Sequence, residues 1–242
     1  MAAQTPARVL MYGLDPTADL WADNIEGEGL GGIRFRFHYR QEAVYAHVPM
    51  LGRHSVHTAL RAAAVGLVTG LSWEEIMAGL HDQSAQLRLV AVPGPLGSII
   101  LDDTYNSSPS SCIAALNLMD ELEGRKICVL GDMYELGDYT EEGHRVVGRR
   151  ARDVADLLVC VGPMAQIIGE EAQVVGMPAH RLFLVETNAQ AIDTVNRLIR
   201  AGSGGDRLLI KGSQGVHMDE IVAALALPRT APGRTLSKDG QP

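Results

Sequence analysis

From about residue 98 the sequence alternates short, β-rich apolar runs with longer stretches of helical periodicity, and this alternation narrows the possible folds sharply. The runs are "SIILD" (98–102), "KICVLG" (126–131), "DLLVCVG" (156–162), "RLFLV" (181–185) and "RLLIKG" (207–212). Nearly continuous apolar character suits strands buried on both faces, and the intervening segments supply the helices that cover them. Five such alternations predict an α/β unit with a parallel, doubly wound sheet, Rossmann-like in plan.

The first 85 residues follow a different pattern. "ARVLMYG", "GIRFRFHYR" and "AVYAHVPM" read as strands, the last two with in/out alternation, while "HSVHTALRAAAVGLVTG" and "SWEEIMAGLHD" read as helices. Ser72 followed by Glu75 forms a capping-box signature. These few strands suggest part of a larger domain. The chain therefore divides into residues 1–85, 86–227 and a polar Pro/Gly-rich tail at 228–242, which is expected to be disordered. The segment "QSAQLRLVAVPGPLG" separates the two regions, with Pro93, Gly94 and Pro95 predicting a turn and a boundary.

A formal charge of −8 with no long Lys/Arg cluster argues against a general nucleic-acid binder. No apolar run reaches the roughly 20 residues that a membrane-spanning helix needs, so no membrane insertion is expected. Cys112, Cys128 and Cys160 are widely spaced and form no metal-ligand or redox pair. Buried reduced thiols and an N-terminus without the features of a signal peptide point to the cytoplasm.

Ligands of parallel sheets gather at the carboxyl ends of the strands, and three segments lie there. In "LDDTYNSSPSS" (101–111), Ser108 and Pro109 are explained by a helix start, as N-cap and first helical residue. Asp103, Tyr105 and Asn106 are less well explained, and ligand contact and simple turn stand at even odds. In "VLGDMYELGD" (129–138), Asp132 and Glu135 could meet an amine or merely orient a loop, and the structural role is favoured. In "IKGSQGVHMDE" (210–220), Lys211, Gly212 and Ser213 precede a helix and could hold a carboxylate or phosphate. Lys211 is one of three lysines, and "KGSQG" lacks the glycine spacing of a phosphate-binding Walker A loop. No complete loop of that kind occurs in the sequence. His54 and His57 can share a helix face, but no third ligand accompanies them, so capping or nucleotide contact outweighs metal binding. His144, followed by Val146 and Val147, reads as a core residue.

Taken in order, "LGRHSVHTALRAAAVGL", Arg88 in "QLRLV", "DDTYNSSPSS", "VLGDMYELGDYTEEGHRVVG", "ADLLVCVG" and "KGSQGVHMDE" resemble the Mur ligase family. The resemblance is closest to the branch that adds D-alanyl-D-alanine to a UDP-N-acetylmuramoyl tripeptide. It implies a Rossmann-like C-terminal domain preceded by an incomplete piece of the central ATPase domain. The implied activity is ATP-dependent amide ligation through an acyl phosphate, in peptidoglycan precursor synthesis. ATP and Mg2+ are the implied cofactors, with the phosphate loop and Mg2+ ligands outside this sequence. The chain alone is then expected to be inactive and to work with an N-terminal half carrying those parts.

By the same resemblance, Arg88, Asp103, Tyr105, Asn106, His54 and His57 lie on the nucleotide side. Lys211, Gly212 and Ser213 lie on the side of the incoming dipeptide, and no residue is assigned to bond-making. His57 stands where the family commonly has Asn, and Ser108 stands where Asn is usual before the proline. A non-catalytic nucleotide- or peptide-binding module, or a ligase with another amino-acid acceptor, are the alternatives.

Overall fold

The computed structural model describes residues 5–82 and 89–228. Arg88 and residues 229–242 of the tail lie outside the described residues.

The first sheet contains β1 (Tyr12–Gly13), β2 (Leu20–Gly27), β3 (Ile33–Tyr39) and β4 (Glu42–Val48), in the order β1-β2-β3-β4. β1 runs parallel to β2, and the other two pairings are antiparallel. The alternation in "IRFRFHY" sends Ile33, Phe35 and Phe37 inward, where they pack with α1 (Val56–Thr69) and α2 (Trp73–His81). The outward residues form a polar face. There Arg36 grips Asp23 with Nε and Nη2 at 2.9 and 2.7 Å, and Trp21 stacks on His38 with ring centroids 3.8 Å apart. That grip holds the Asp23 carboxyl down at about 2.

The second sheet contains six strands: β5 (Val90–Pro93), β6 (Ile99–Asp103), β7 (Lys126–Gly131), β8 (Leu157–Val161), β9 (Leu182–Val185) and β10 (Arg207–Lys211). Their order is β5-β6-β10-β7-β8-β9. The five strands expected from the sequence are parallel, and β5 adds an antiparallel edge. Helices α3 (Pro109–Glu121), α4 (Thr140–Val154) and α5 (Ala165–Val174) cover one face. Helices α6 (Asn188–Arg200) and α7 (Asp219–Leu225) cover the other. Alternate strand residues feed the two cores: Cys128 and Leu130 face one layer, Ile127 and Val129 the other.

Two local expectations are corrected, and one strand is added. "ARVLMYG" gives only the two-residue β1. Strand β2 was missed, because Asn24 adopts a positive φ of 51° and the register shifts between Asp23 and Glu26, which breaks the two-residue period. Pro93-Gly94-Pro95 turns the chain from β5 into β6 within one sheet, and does not separate the two units. Both expected caps form: Ser72 with Glu75, and Ser108 on the amide of Ser111 with Pro109 at the first turn.

All three thiols are buried and unpaired. Burial pushes Cys128 up to about 12 and moves Cys112 and Cys160 in the same direction. A thiol must ionise to react. No labelling by a disulfide reagent is therefore expected at neutral pH in the folded chain, with three equivalents released on adding denaturant.

Candidate functional site

A crevice forms where adjacent strands send their following helices to opposite faces of the sheet. Strands β6 and β10 are neighbours, with Asp103 and Lys211 as register partners at their carboxyl ends. From there β6 leads to α3 on one face and β10 leads to α7 on the other. The loops 103–108 and 211–217 therefore flank one opening.

The first unit packs against the far half of α3. Leu51, just after β4, joins the core beneath α3. Gly52 then turns with φ of 79°, and a Cβ there would stand 2.7 Å from the His54 ring and 3.6 Å from Leu118. Only glycine permits both that backbone and that approach. Ser55 Oγ donates to the Leu51 carbonyl at 2.6 Å, closing the turn into α1.

His54 lies in the short 3-10 turn that leads into α1. Its imidazole pKa is lowered by desolvation, then by the charges of Lys211 and His57. A histidine that takes up its proton less readily folded than unfolded costs stability as pH falls through its unfolded value near 6.5. Its NMR titration midpoint is accordingly expected below that value, and Lys211→Met should move it upward. An unchanged midpoint would mean the two groups do not face each other.

Within the crevice, Lys211 is 1 % exposed, and its Nζ lies 2.7 Å from Asp103 Oδ2 and 2.8 Å from the Asn106 carbonyl oxygen. The lysine expected to meet a carboxylate or phosphate is thus engaged inside the protein in this conformation. Tyr105 is 54 % exposed, and Asn106 and His57 are exposed beside it in the sequence-predicted set. Ser213 is buried, its Oγ accepting from the Tyr134 amide at 2.8 Å and its amide donating to the Asp132 carbonyl at 2.9 Å.

Gly212 and Gly131 end neighbouring strands, and a Cβ on either would collide with the buried Met218 sulfur. A side chain at Gly212 would have to displace the buried Met218 side chain and would crowd the Gly131 backbone. Asp132 does not face a ligand: its Oδ1 accepts from the Ala165 amide at 2.7 Å, capping α5. His144 is a fully buried core residue, accepting from the Met133 amide through Nε2 and bonded to the Thr140 carbonyl through Nδ1. Glu135 lies exposed.

Sequence reasoning overlooked Asn188. Its Nδ2 donates to the Val216 and His217 carbonyls at 3.0 Å, bracing the 211–217 loop from α6. Nothing in "TNAQA" separates that role from an ordinary helix start. Among the described residues, no group of three or more His, Cys, Asp or Glu could hold a metal ion, and no helix is long and apolar enough to cross a membrane.

A doubly wound domain with a strand-end crevice between β6 and β10, packed against a separate sheet-and-helix unit, defines a class of two-part α/β proteins. Residues 87–214 match the family described as Mur ligase, glutamate ligase domain, and the chain belongs to the Mur ligase family. It is 34 % identical over 182 residues to UDP-N-acetylmuramoyl-tripeptide--D-alanyl-D-alanine ligase of Bacillus subtilis, covering 74 % of this chain and 39 % of the relative. Against the enzyme of the same name from Escherichia coli it is 33 % identical over 202 residues, covering 80 % of this chain and 42 % of the relative. A crystal structure of MurF from Acinetobacter baumannii superposes with a TM-score of 0.76 at 30 % identity, over 88 % of this chain and 46 % of that one. The chain thus spans less than half the length of these relatives.

Proposed function

We propose that this chain supplies the acceptor-side and domain-closing portion of an ATP-dependent amide ligase. Its substrates would be D-alanyl-D-alanine and a UDP-N-acetylmuramoyl tripeptide, in cytoplasmic synthesis of a peptidoglycan precursor. The observation that carries this reading is the crevice at the paired carboxyl ends of β6 and β10, where loops 103–106 and 211–213 lie side by side.

The exposed groups suit one edge of a nucleotide. Tyr105 offers an aromatic face, and Asn106 and His57 offer hydrogen-bonding groups for a base or ribose. Arg88 and Asp103 are proposed on the same side. The described residues do not fit triphosphate or Mg2+: no carboxylate cluster is present, and the Lys211 ammonium is buried and paired. Those functions are assigned to a segment beyond these 242 residues, and no step here runs through the metal. ATP, when bound, activates the tripeptide carboxylate for attack by the dipeptide amine.

This chain's residues then act by placement. The 103–106 loop holds the nucleotide edge, while the backbone at Gly212 and the buried Ser213 shape the floor on which the dipeptide is oriented. Approach of the two units brings the reactants together and excludes water, the kind of ordering that lowers a bimolecular barrier. Calorimetry with D-alanyl-D-alanine, alone and with ATP, tests the assignment. Dipeptide binding that strengthens with nucleotide is expected. Binding of neither ligand would remove the assignment of both loops.

A further inference from the structure

Lys211 differs from the other crevice residues because its side chain reaches a loop 105 residues away in sequence and is almost wholly buried there. Its ammonium spans two points on that loop, the Asp103 carboxylate and the Asn106 carbonyl. The hydrogen bonds at Thr104 and Ser107 are local by comparison: Thr104 to Asp102, and Ser107 to Asn106 and Cys112. Away from water, a charged donor bridging two acceptors is strong, and among these bonds it is the one that ties the loop to another strand. Lys211 is also the residue from which the chain enters Gly212 and Ser213.

We infer that Lys211 is a positioning residue: by bridging Asp103 and the Asn106 carbonyl it sets the 103–106 loop that presents Tyr105 and Asn106, and ties that setting to the 211–213 loop. The geometry stands without the functional reading, but the consequence for nucleotide binding rests on it. A space-filling role predicts something different. Met matches the length of Lys without its charge, so Lys211→Met would satisfy packing alone, whereas Lys211→Arg keeps the charge and the donors.

Amide hydrogen exchange on the full chain separates the two roles. In Lys211→Met, exchange at Thr104 and Ser107, whose amides donate hydrogen bonds within the loop, should accelerate by about tenfold or more, the loss expected for charge-assisted bonds. Amides of Val129 and Val159 should stay protected, and Lys211→Arg should stay near wild type. If Lys211→Met does not fold, Asp103→Asn removes the partner's charge at a carboxyl 13 % exposed and should loosen the same loop. Unchanged loop exchange in the folded variants, or Lys211→Arg behaving worse than Lys211→Met, would overturn the inference. ADP titration is the second readout, with affinity expected to fall as loop exchange rises. If the wild-type chain binds no ADP, the nucleotide reading fails, and the exchange comparison still decides the role of Lys211.

Discussion

Asp206→Ala is expected to destabilise the full chain by about 3 kcal/mol, the scale for breaking one side of a buried ion pair. Asp206 is 1 % exposed just before β10, and its carboxylate receives Nε and Nη2 of Arg125 at 2.8 and 2.6 Å. Arg125 also donates to the Leu198 carbonyl at 2.8 Å, and the Asp206 carbonyl accepts from the Ile99 amide at 2.9 Å. One residue therefore fastens the starts of β6, β7 and β10 to the end of α6. Arg125 keeps a side chain 30 % exposed, so water can recover part of its solvation and the loss stays at the lower end of the range. The clamp sits at the amino ends of the strands, opposite the crevice. Denaturant titration should show the loss, while exchange at Thr104 and Ser107 under native conditions should not change.

Asp132→Ala is expected to cost about 2 kcal/mol, the upper end for removal of a helix cap whose amides are left buried. The carboxylate accepts from the amides of Met164 and Ala165 where β8 turns into α5. Burial raises its pKa, outweighing those bonds and the nearby His144. An acid with a raised folded-state value contributes its stability in full below the unfolded pKa and loses it as pH rises through the folded one. Asp132→Asn should therefore be milder than Ala, and the wild-type advantage over Asn should be larger near pH 4 than at pH 7. Unlike Asp206, this residue touches the crevice, because its carbonyl holds the Ser213 amide. Faster exchange at Ser213 and Tyr134 should accompany the loss.

The second unit was legible because its strands are buried on both faces, so "KICVLG" and "RLLIKG" carry the fold in their composition alone. Strand β5 was not, because "VAVP" is short, half-buried at an edge and ends in proline. Strand β2 was hidden by the irregularity at Asn24. At the candidate site, Ser108 caps α3 as its neighbours required. The pairing of Lys211 with Asp103 could not be read, because it depends on β10 inserting beside β6 after three strands and four helices have intervened. Only the folded sheet brings the lysine before Gly-Ser against the Asp103 carboxylate.

The most direct test mixes this chain with a separately expressed segment of a Mur ligase that carries the phosphate-binding loop and Mg2+ ligands, then supplies ATP, D-alanyl-D-alanine and UDP-N-acetylmuramoyl tripeptide. The expected result is product that requires both segments, ATP and the dipeptide, with none from this chain alone. Stable association of the two segments without such product would contradict the assignment of this chain to the ligation reaction.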